Sequence, residues 1–236
     1  MIIVQQLSKQ LGITRVLDEL SFSIPEKCVT GLLGPNGAGK TTTIKILSTL
    51  FSPTSGRVTI DGLDTVEKSH EVRKLLGFLP EDPPLYSELT VTEQLRLSGG
   101  LYNISGEKLN AAVRSSIERC QLGEVSKKHI FKLSKGFKQR VGIAQTILHN
   151  PKVIILDEPT NGLDPIQLIE ARNLIRSLAE TSTVLFSSHL LQEVVEVCSK
   201  VILIAQGKKL FEGELAQKTG IEALENQFIQ AVKGAI

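Results

Sequence analysis

The run Gly34-Pro35-Asn36-Gly37-Ala38-Gly39-Lys40-Thr41-Thr42 lies between a short apolar segment, 29–33, and a segment with apolar residues at helical spacing, 43–50. It fits the pattern G-x-x-x-x-G-K-[ST], whose glycines let backbone N–H groups come close to phosphate oxygens. Lys40 would supply positive charge to the β- and γ-phosphates, and Thr41 would supply a hydroxyl ligand for Mg²⁺. The sequence therefore predicts a strand, a phosphate-binding loop and a helix that begins near Gly39.

Short apolar runs of strand length recur along the chain and alternate with segments of helical spacing. Strands are predicted at 2–4, 20–24, 29–33, 57–60, 77–80, 152–156, 183–186 and 201–204, and helices at 66–76 and 166–178. This alternation is typical of proteins in which helices cover both faces of a mostly parallel sheet. We therefore predict an α/β fold whose ligands bind beyond the carboxyl ends of the strands.

Residues 89–149 differ from the flanking sequence because they contain no good strand candidate. Helices are predicted at 91–102, 107–122 and 136–148, with Thr90 and Ser105 as possible caps. The chain is therefore expected to form one domain with three parts. These are a core at about 1–88 and 150–213, a helical subdomain at about 89–149 and a short helical tail at 214–236.

Two carboxylates, Asp157 and Glu158, follow the strand predicted at 152–156. Asp157 could hold Mg²⁺ directly or through water, and Glu158 could polarise an attacking water as a general base. Alternatively, both are surface acids at the end of a strand, and the phosphate-binding loop upstream is what favours the catalytic interpretation. Ser187-Ser188-His189 follows a later strand, where His189 could reach the γ-phosphate or could be a structural histidine.

Four segments occur in an order and spacing that resemble the ATP-binding subunit of an ABC transporter. They are Gly34–Thr42, Leu133-Ser134-Lys135-Gly136-Phe137-Lys138-Gln139-Arg140, Leu156-Asp157-Glu158-Pro159-Thr160-Asn161-Gly162-Leu163-Asp164-Pro165 and Ser187-Ser188-His189. The resemblance covers residues 1 to about 213. It implies a P-loop NTPase core of the RecA-like type with a mostly parallel sheet, an N-terminal antiparallel β subdomain and an inserted α-helical subdomain.

The resemblance assigns half of an ATP site to the phosphate-binding loop and its neighbours. The implied ATP-binding residues are Gly34, Pro35, Asn36, Gly37, Ala38, Gly39, Lys40, Thr41 and Thr42, with Leu11 and Val16 at the base. Lys40, Glu158 and His189 would be catalytic, as phosphate ligand, general base and γ-phosphate contact. Thr41, Asp157 and the Q-loop residue Glu81 would hold Mg²⁺.

The same resemblance assigns the other half of the site to a second subunit. Ser134, Lys135 and Gly136 would belong to the signature motif, which binds the γ-phosphate of ATP held by the partner, and Asp164 would be the D-loop acid at that interface. Ser134 and Gly136 lie where a helix is predicted to start, so their N–H groups could face an anion. ATP would then hold together a head-to-tail dimer of this chain or of this chain with a homologue.

Three positions depart from the commonest family pattern. Lys135 replaces a glycine of the signature, Glu81 replaces the Q-loop glutamine, and Leu11 replaces the aromatic residue that stacks on adenine. A similar Ser-Lys-Gly form occurs in ABC-2-type exporters. The surrounding lysines and arginine are either a solvated basic face or an electropositive surface for the partner's ATP, and the residues favour neither: Lys127, Lys128, Lys132, Lys135, Lys138 and Arg140.

A second signature-like run, Leu97-Ser98-Gly99-Gly100, is rejected as the functional motif. No helix is predicted to begin there, and neither glutamine nor basic residues follow it. The two glycines are interpreted as a break near the end of a helix.

The bulk composition limits the possible partners. Lys and Arg total 27 against 25 for Asp and Glu, which argues against a large nucleic-acid-binding surface. No apolar run reaches the roughly 18 residues of a membrane helix, and the N-terminus lacks the features of a signal peptide. We therefore expect a soluble chain whose membrane association, if any, comes through a partner. The resemblance implies a cytoplasmic protein attached peripherally to the inner face of the membrane through a transmembrane permease subunit.

The resulting hypothesis is an ATP-binding and ATP-hydrolysing subunit, with ATP and Mg²⁺, that powers an ABC transporter, most simply an ABC-2-type exporter. The alternative is an ABC ATPase without transport, either a soluble factor or a regulatory module that binds ATP and hydrolyses little. Glu158 and His189 favour hydrolysis over a binding-only switch.

The aliphatic residue at position 11 leads to a prediction about the base. Leu11 can cover a face of adenine but lacks the π-stacking of an aromatic ring, which contributes about 0.5–1.5 kcal/mol. We expect weak discrimination between ATP and GTP in a competition assay with a labelled nucleotide, and Leu11→Tyr should increase the preference for ATP. A strong preference for ATP in the unaltered protein would contradict this.

Overall fold

The computed structural model describes residues 1–215 and 218–233, and it describes only the backbone of 218–221, 223, 231 and 232. Within these residues the strands are β1 (Ile2–Leu11), β2 (Thr14–Ile24), β3 (Val29–Leu33), β4 (Ser55–Ile60), β5 (Leu63–Asp64), β6 (Leu76–Leu79), β7 (Val153–Leu156), β8 (Thr183–Ser188), β9 (Lys200–Ala205) and β10 (Lys208–Glu214). The helices are α1 (Lys40–Leu47), α2 (Ser69–Leu75), α3 (Val91–Leu101), α4 (Gly106–Arg119), α5 (Lys135–Ile147), α6 (Pro165–Leu178), α7 (Leu191–Val197) and α8 (Lys218–Lys233). Two 3₁₀ turns lie at Gly123–Val125 and Ile130–Lys132.

The strands form two sheets. The first is antiparallel in the order β2-β1-β4-β5, and the second has the order β10-β9-β3-β8-β7-β6. In the second sheet β9, β3, β8, β7 and β6 are parallel, and only β10 is antiparallel to its neighbour. The predicted α/β class with a mostly parallel sheet is therefore confirmed, as is the N-terminal antiparallel sheet.

The central strands are rich in apolar residues because both of their faces are covered. Along β3 and β8, Leu32 and Leu185 pack toward α1 and the antiparallel sheet, while Leu33 and Phe186 pack toward the opposite core. This alternation follows from the period of two residues in a strand. The opposite core also contains Leu95 of α3, so the helices α3 to α5 share one hydrophobic core with the sheet. A division of the chain at 89–149 stays a prediction.

Several predicted boundaries were wrong. β1 and β2 are longer than predicted, because the hairpin extends beyond the buried core to its exposed end near Thr14. Leu76 begins β6 and does not end the preceding helix, and Ser187 and Ser188 belong to β8 itself.

The C-terminal region also differs from its prediction. Glu214 ends the antiparallel edge strand β10, which was not predicted, and does not start a helical tail. An edge strand carries many polar side chains, so it lacks the apolar run by which the other strands were predicted. Helix α8 lies within the predicted tail, of which 216, 217 and 234–236 lie outside the described residues.

The predicted helix break at Gly99-Gly100 was wrong as well. Helix α3 continues through both glycines and ends at Leu101. Gly99 is buried, and a Cβ at this position would collide with Leu109 of α4. The glycine therefore allows α3 and α4 to pack closely, so the signature-like run is explained by helix packing.

The N-termini of α3 and α4 provide a matched test of capping. Thr90 forms a full capping box with Glu93, whereas Ser105 occupies the N-cap position of α4 without a side-chain hydrogen bond. Thr90→Ala should lower the free energy of unfolding by about 1 kcal/mol, because it leaves the N–H of Glu93 without its side-chain acceptor. Urea denaturation would measure this. Ser105→Ala should change stability much less, and equal losses in the two variants would contradict the assignment.

Candidate nucleotide site

The phosphate-binding loop connects β3 to α1 and lines a cavity of about 430 Å³. Gly37 and Gly39 have φ angles of 79° and 102°, which residues with a side chain rarely adopt. Helix α1 begins at Lys40, so its first N–H groups and its positive dipole end point toward the cavity. The cavity is lined by Val16, Asn36, Gly37, Ala38, Gly39, Lys40, Thr41, Thr42, Glu81, Glu158, Asn161 and His189.

Lys40 is buried and is held across the loop. Its Nζ donates to the carbonyl oxygens of Gly34 at 2.7 Å and Pro35 at 3.3 Å, and lies 3.4 Å from Oε1 of Glu158. Gly34 and Pro35 therefore support the lysine and do not themselves line the cavity. The ammonium group is fixed where phosphate oxygens would meet the loop.

Glu158 is buried between two cationic or polar partners. While Oε1 faces Lys40, Oε2 lies 2.9 Å from Nδ1 of His189. The backbone of Glu158 has a φ of 47°, a conformation that costs about 1–3 kcal/mol in a residue other than glycine. Its N–H donates to Oγ of Ser187 at 2.8 Å, which holds this conformation in place.

Asp157 lies behind the cavity wall, 3% exposed, and accepts a hydrogen bond from Oγ of Ser187 at 2.6 Å. Burial raises the pKa of Asp157 above its ordinary value, and the charges of Glu158 and Glu81 raise it further. Hydrogen bonds from Ser187 and Thr41 act in the opposite direction. A cation at this point would relieve the excess of negative charge.

The donor set at this edge fits Mg²⁺, which prefers oxygen ligands. Thr41 offers a hydroxyl, and Asp157 and Glu81 offer carboxylates. Among the described residues, no three His, Cys, Asp or Glu side chains converge into a ready metal site. This agrees with the ordinary behaviour of Mg²⁺ in phosphate sites, where one or two protein ligands act together with phosphate oxygens and water.

Asn161 is a cavity residue that the sequence interpretation did not single out. Its Nδ2 donates to Oε1 of Glu81 at 2.9 Å, across the mouth of the cavity. An asparagine in a loop carries no chemical signal of its own. Only its place between Glu158 and Asp164 could have drawn attention to it.

Glu193 of α7 also went unnoticed, and it supports two loops of the site. Its buried Oε2 accepts hydrogen bonds at 2.7 Å from Thr160, which follows β7, and from Ser188, which ends β8. These bonds fix the relative positions of the segments that carry Asn161 and His189.

Val16 and Leu11, which were predicted to contact the nucleotide base, lie in different places relative to the cavity. Val16 lines the cavity, whereas Leu11 ends β1, is 44% exposed and is not among the lining residues. A contact between Leu11 and the base stays a prediction.

The residues predicted to act on a partner's ATP lie outside the cavity of their own chain. Ser134 caps α5, with its Oγ accepting from the N–H of Phe137, and Asp164 caps α6 by accepting from the N–H groups of Ile166 and Gln167. Gly136 is covered by the side chain of Gln167, and Lys135 lies over Gly162. Within the basic segment Arg140 pairs with Glu170 at 3.1 Å, so at least this arginine serves the fold.

Comparison with protein families gives a match to the model described as ABC transporter, over residues 17–161. The chain belongs to the ABC transporter family. It is 36% identical to the lantibiotic transport ATP-binding protein SrtF of Streptococcus pyogenes, over 97% of each chain. It is 41% identical to the bacitracin transport ATP-binding protein BcrA of Bacillus licheniformis, over 87% of this chain and 67% of that protein.

Solved structures agree with this membership. A dimeric, post-hydrolysis ATP-binding cassette with bound ADP and Pi superposes with a TM-score of 0.82 at 25% identity, over 92% of this chain and all of that one. Members of this ABC family bind and hydrolyse ATP, and the cavity of this ABC protein has the loop, the lysine and the carboxylates for that chemistry. No helix among the described residues is long and apolar enough to cross a membrane.

The double role of Ser187 in this ABC site gives a stability prediction. Ser187→Ala leaves a buried N–H of Glu158 and a buried oxygen of Asp157 without their partner, which should cost about 1–3 kcal/mol of unfolding free energy. Urea denaturation would measure the loss. Ser177→Ala, an exposed serine of α6, is the control and should change stability by less than about 0.5 kcal/mol. Equal stability of the two variants would contradict the proposed bridge.

Proposed function

We propose that this chain is the ATP-binding and ATP-hydrolysing subunit of a membrane exporter of the ABC-2 type. The observation that carries the proposal is the position of Glu158, held between Lys40 and His189 at the mouth of the phosphate-binding loop. A general base, a phosphate-binding cation and a polar γ-phosphate contact then meet in one cavity. Two relatives are named as transport ATP-binding proteins, one for a lantibiotic and one for bacitracin, which supports the transport part of the proposal.

The chemistry follows from these positions. The N–H groups of the loop and the first turn of α1 would cradle the phosphates of ATP, and Lys40 would turn from Glu158 to the β- and γ-phosphates. Bound Mg²⁺ would neutralise phosphate charge, held by Thr41, Asp157 and Glu81. Glu158 would orient and polarise the attacking water, and His189 would contact the γ-phosphate.

A dimer would complete the site. Four residues lie outside the cavity of their own chain: Ser134, Lys135, Gly136 and Asp164. They could therefore contact only ATP that is bound by the other subunit of the dimer, a second copy of this chain or a homologue. Ser134 caps α5 at its N-terminus, where N–H groups favour an anion. The dimeric arrangement of a similar cassette supports this proposal.

A permease subunit would dock on an apolar groove that is lined in part by residues on either side of Glu81 in the sequence, Phe78 and Pro84. The groove has a volume of about 530 Å³, and its apolar lining residues are Phe78, Pro84, Leu85, Tyr86, Leu97, Leu101 and Tyr102. Leu101 and Tyr86 are 78% and 62% exposed, so they offer apolar area to a partner helix. The chain would then lie on the cytoplasmic face of the membrane.

The catalytic part of the proposal is tested by Glu158→Gln. The amide keeps the shape of the side chain but cannot accept a proton, so steady-state ATPase activity should fall about a hundredfold or more while ATP binding persists. The surface variant Glu118→Gln is the control. Hydrolysis by Glu158→Gln at the unaltered rate would overturn the role of this residue. Co-purification with a membrane protein from detergent extracts would separate a transporter subunit from a soluble ATPase.

A further inference from the structure

One hydrogen bond in the cavity joins two loops that follow adjacent strands. Asn161 lies in the loop after β7, and Glu81 follows β6; Nδ2 of Asn161 donates to Oε1 of Glu81 at 2.9 Å. Both side chains line the cavity with Lys40 and Glu158. The bond therefore fixes a carboxylate at the edge where the nucleotide would lie.

The donor itself is anchored to the catalytic loop. The N–H of Asn161 donates to the carbonyl oxygen of Glu158 at 3.2 Å, and the N–H of Leu163 donates to that of Thr160 at 3.3 Å. Thr160 is in turn bonded to the buried Glu193 of α7. Asn161 thus projects its amide from a chain of hydrogen-bonded turns and not from a loose loop.

The charges explain why Glu81 needs such a partner. Glu81 shares this edge with Glu158 and Asp157, and like charges would drive its exposed carboxylate away from the cavity. A neutral amide donor holds one oxygen without cancelling the charge. The other oxygen of Glu81 stays available for a cation. A lysine at position 161 would instead have neutralised the charge of the carboxylate.

We propose that Asn161 is a positioning residue, which holds the Glu81 carboxylate toward the divalent cation that accompanies the nucleotide. This inference rests on the proposed function. Asn161 acts through Glu81 and not on the reacting atoms, in the way that residues behind a metal ligand orient it.

The test measures binding and not turnover. A fluorescent, non-hydrolysable ATP analogue is titrated with Mg²⁺, and in parallel is bound in EDTA. Asn161→Ala should need about tenfold more Mg²⁺ for half-maximal binding, a typical loss for a removed partner of a metal ligand. Affinity in EDTA and the Tm should stay the same, because both side chains are exposed and their bond contributes little to folding.

A matched control exists on helix α4. Asn110 also donates to a glutamate, Glu107 at 3.4 Å, on an exposed helix surface outside the cavity. Asn110→Ala should titrate with Mg²⁺ like the unaltered protein. A shift equal to that of Asn161→Ala would show a nonspecific effect and overturn the inference.

Exchange of donor and acceptor gives the sharpest test. Asn161→Asp sets a carboxylate against Glu81 and should raise the Mg²⁺ requirement more than Asn161→Ala. Adding Glu81→Gln should lower it again, because the introduced amide would donate to the introduced carboxylate and turn its own oxygen to the cavity. Glu81→Gln alone should raise the Mg²⁺ requirement, because the carboxylate charge is lost. Glu81→Gln would therefore raise the Mg²⁺ requirement of the unaltered protein and lower that of Asn161→Asp.

The outcomes separate the two proposals. If the unaltered protein binds the analogue equally well in Mg²⁺ and in EDTA, the Mg²⁺ part of the proposed function fails. If its binding depends on Mg²⁺ but Asn161→Ala titrates like the unaltered protein, only the role of Asn161 is overturned. A double variant no better than Asn161→Asp would also overturn it.

Discussion

The parallel register of β3, β8, β7 and β6 is the constraint from which the site follows. Leu33 pairs with Ser188, Leu156 with Phe186 and Leu79 with Leu156, so the four strands end at one edge of the sheet. The segments that leave this edge carry the Gly34–Thr42 loop, the carboxylates of Asp157 and Glu158, and the side chains of His189 and Glu81. Four distant segments therefore meet because backbone hydrogen bonding fixes where their strands stop.

At that edge, hydrogen bonds and ion pairs hold the charged groups in position. Ser187 joins the Asp157 carboxylate to the backbone of Glu158, and Lys40 and His189 share the carboxylate of Glu158. Burial of a charge is tolerated only where partners compensate the lost hydration. The carboxylates of Asp157 and Glu158 are thus held in place by neighbours from α1, from β8 and from the segment that follows β8.

The elements that could be predicted are those recognisable from their own residues. The features that were missed lack such a pattern or depend on contacts with distant segments. Val29–Leu33 was predicted with its observed bounds, because a strand buried on both faces is rich in apolar residues and this one holds a single polar side chain, Thr30. The edge strand β10 escaped because Lys208, Lys209 and Glu212 leave it without an apolar run. Asn161 could not be recognised, since its contact with Glu81 depends on the pairing of β6 with β7.

The strand order has a consequence for how the protein is made. β3 ends at residue 33, yet it pairs with β8 and β9, which are synthesised only at residues 183–205. The β1–β2 hairpin and its pairing with β4 involve nearby residues and can form on the ribosome early. The phosphate-binding loop must therefore wait until residues 183–205 have emerged from the ribosome before its supporting strands surround it.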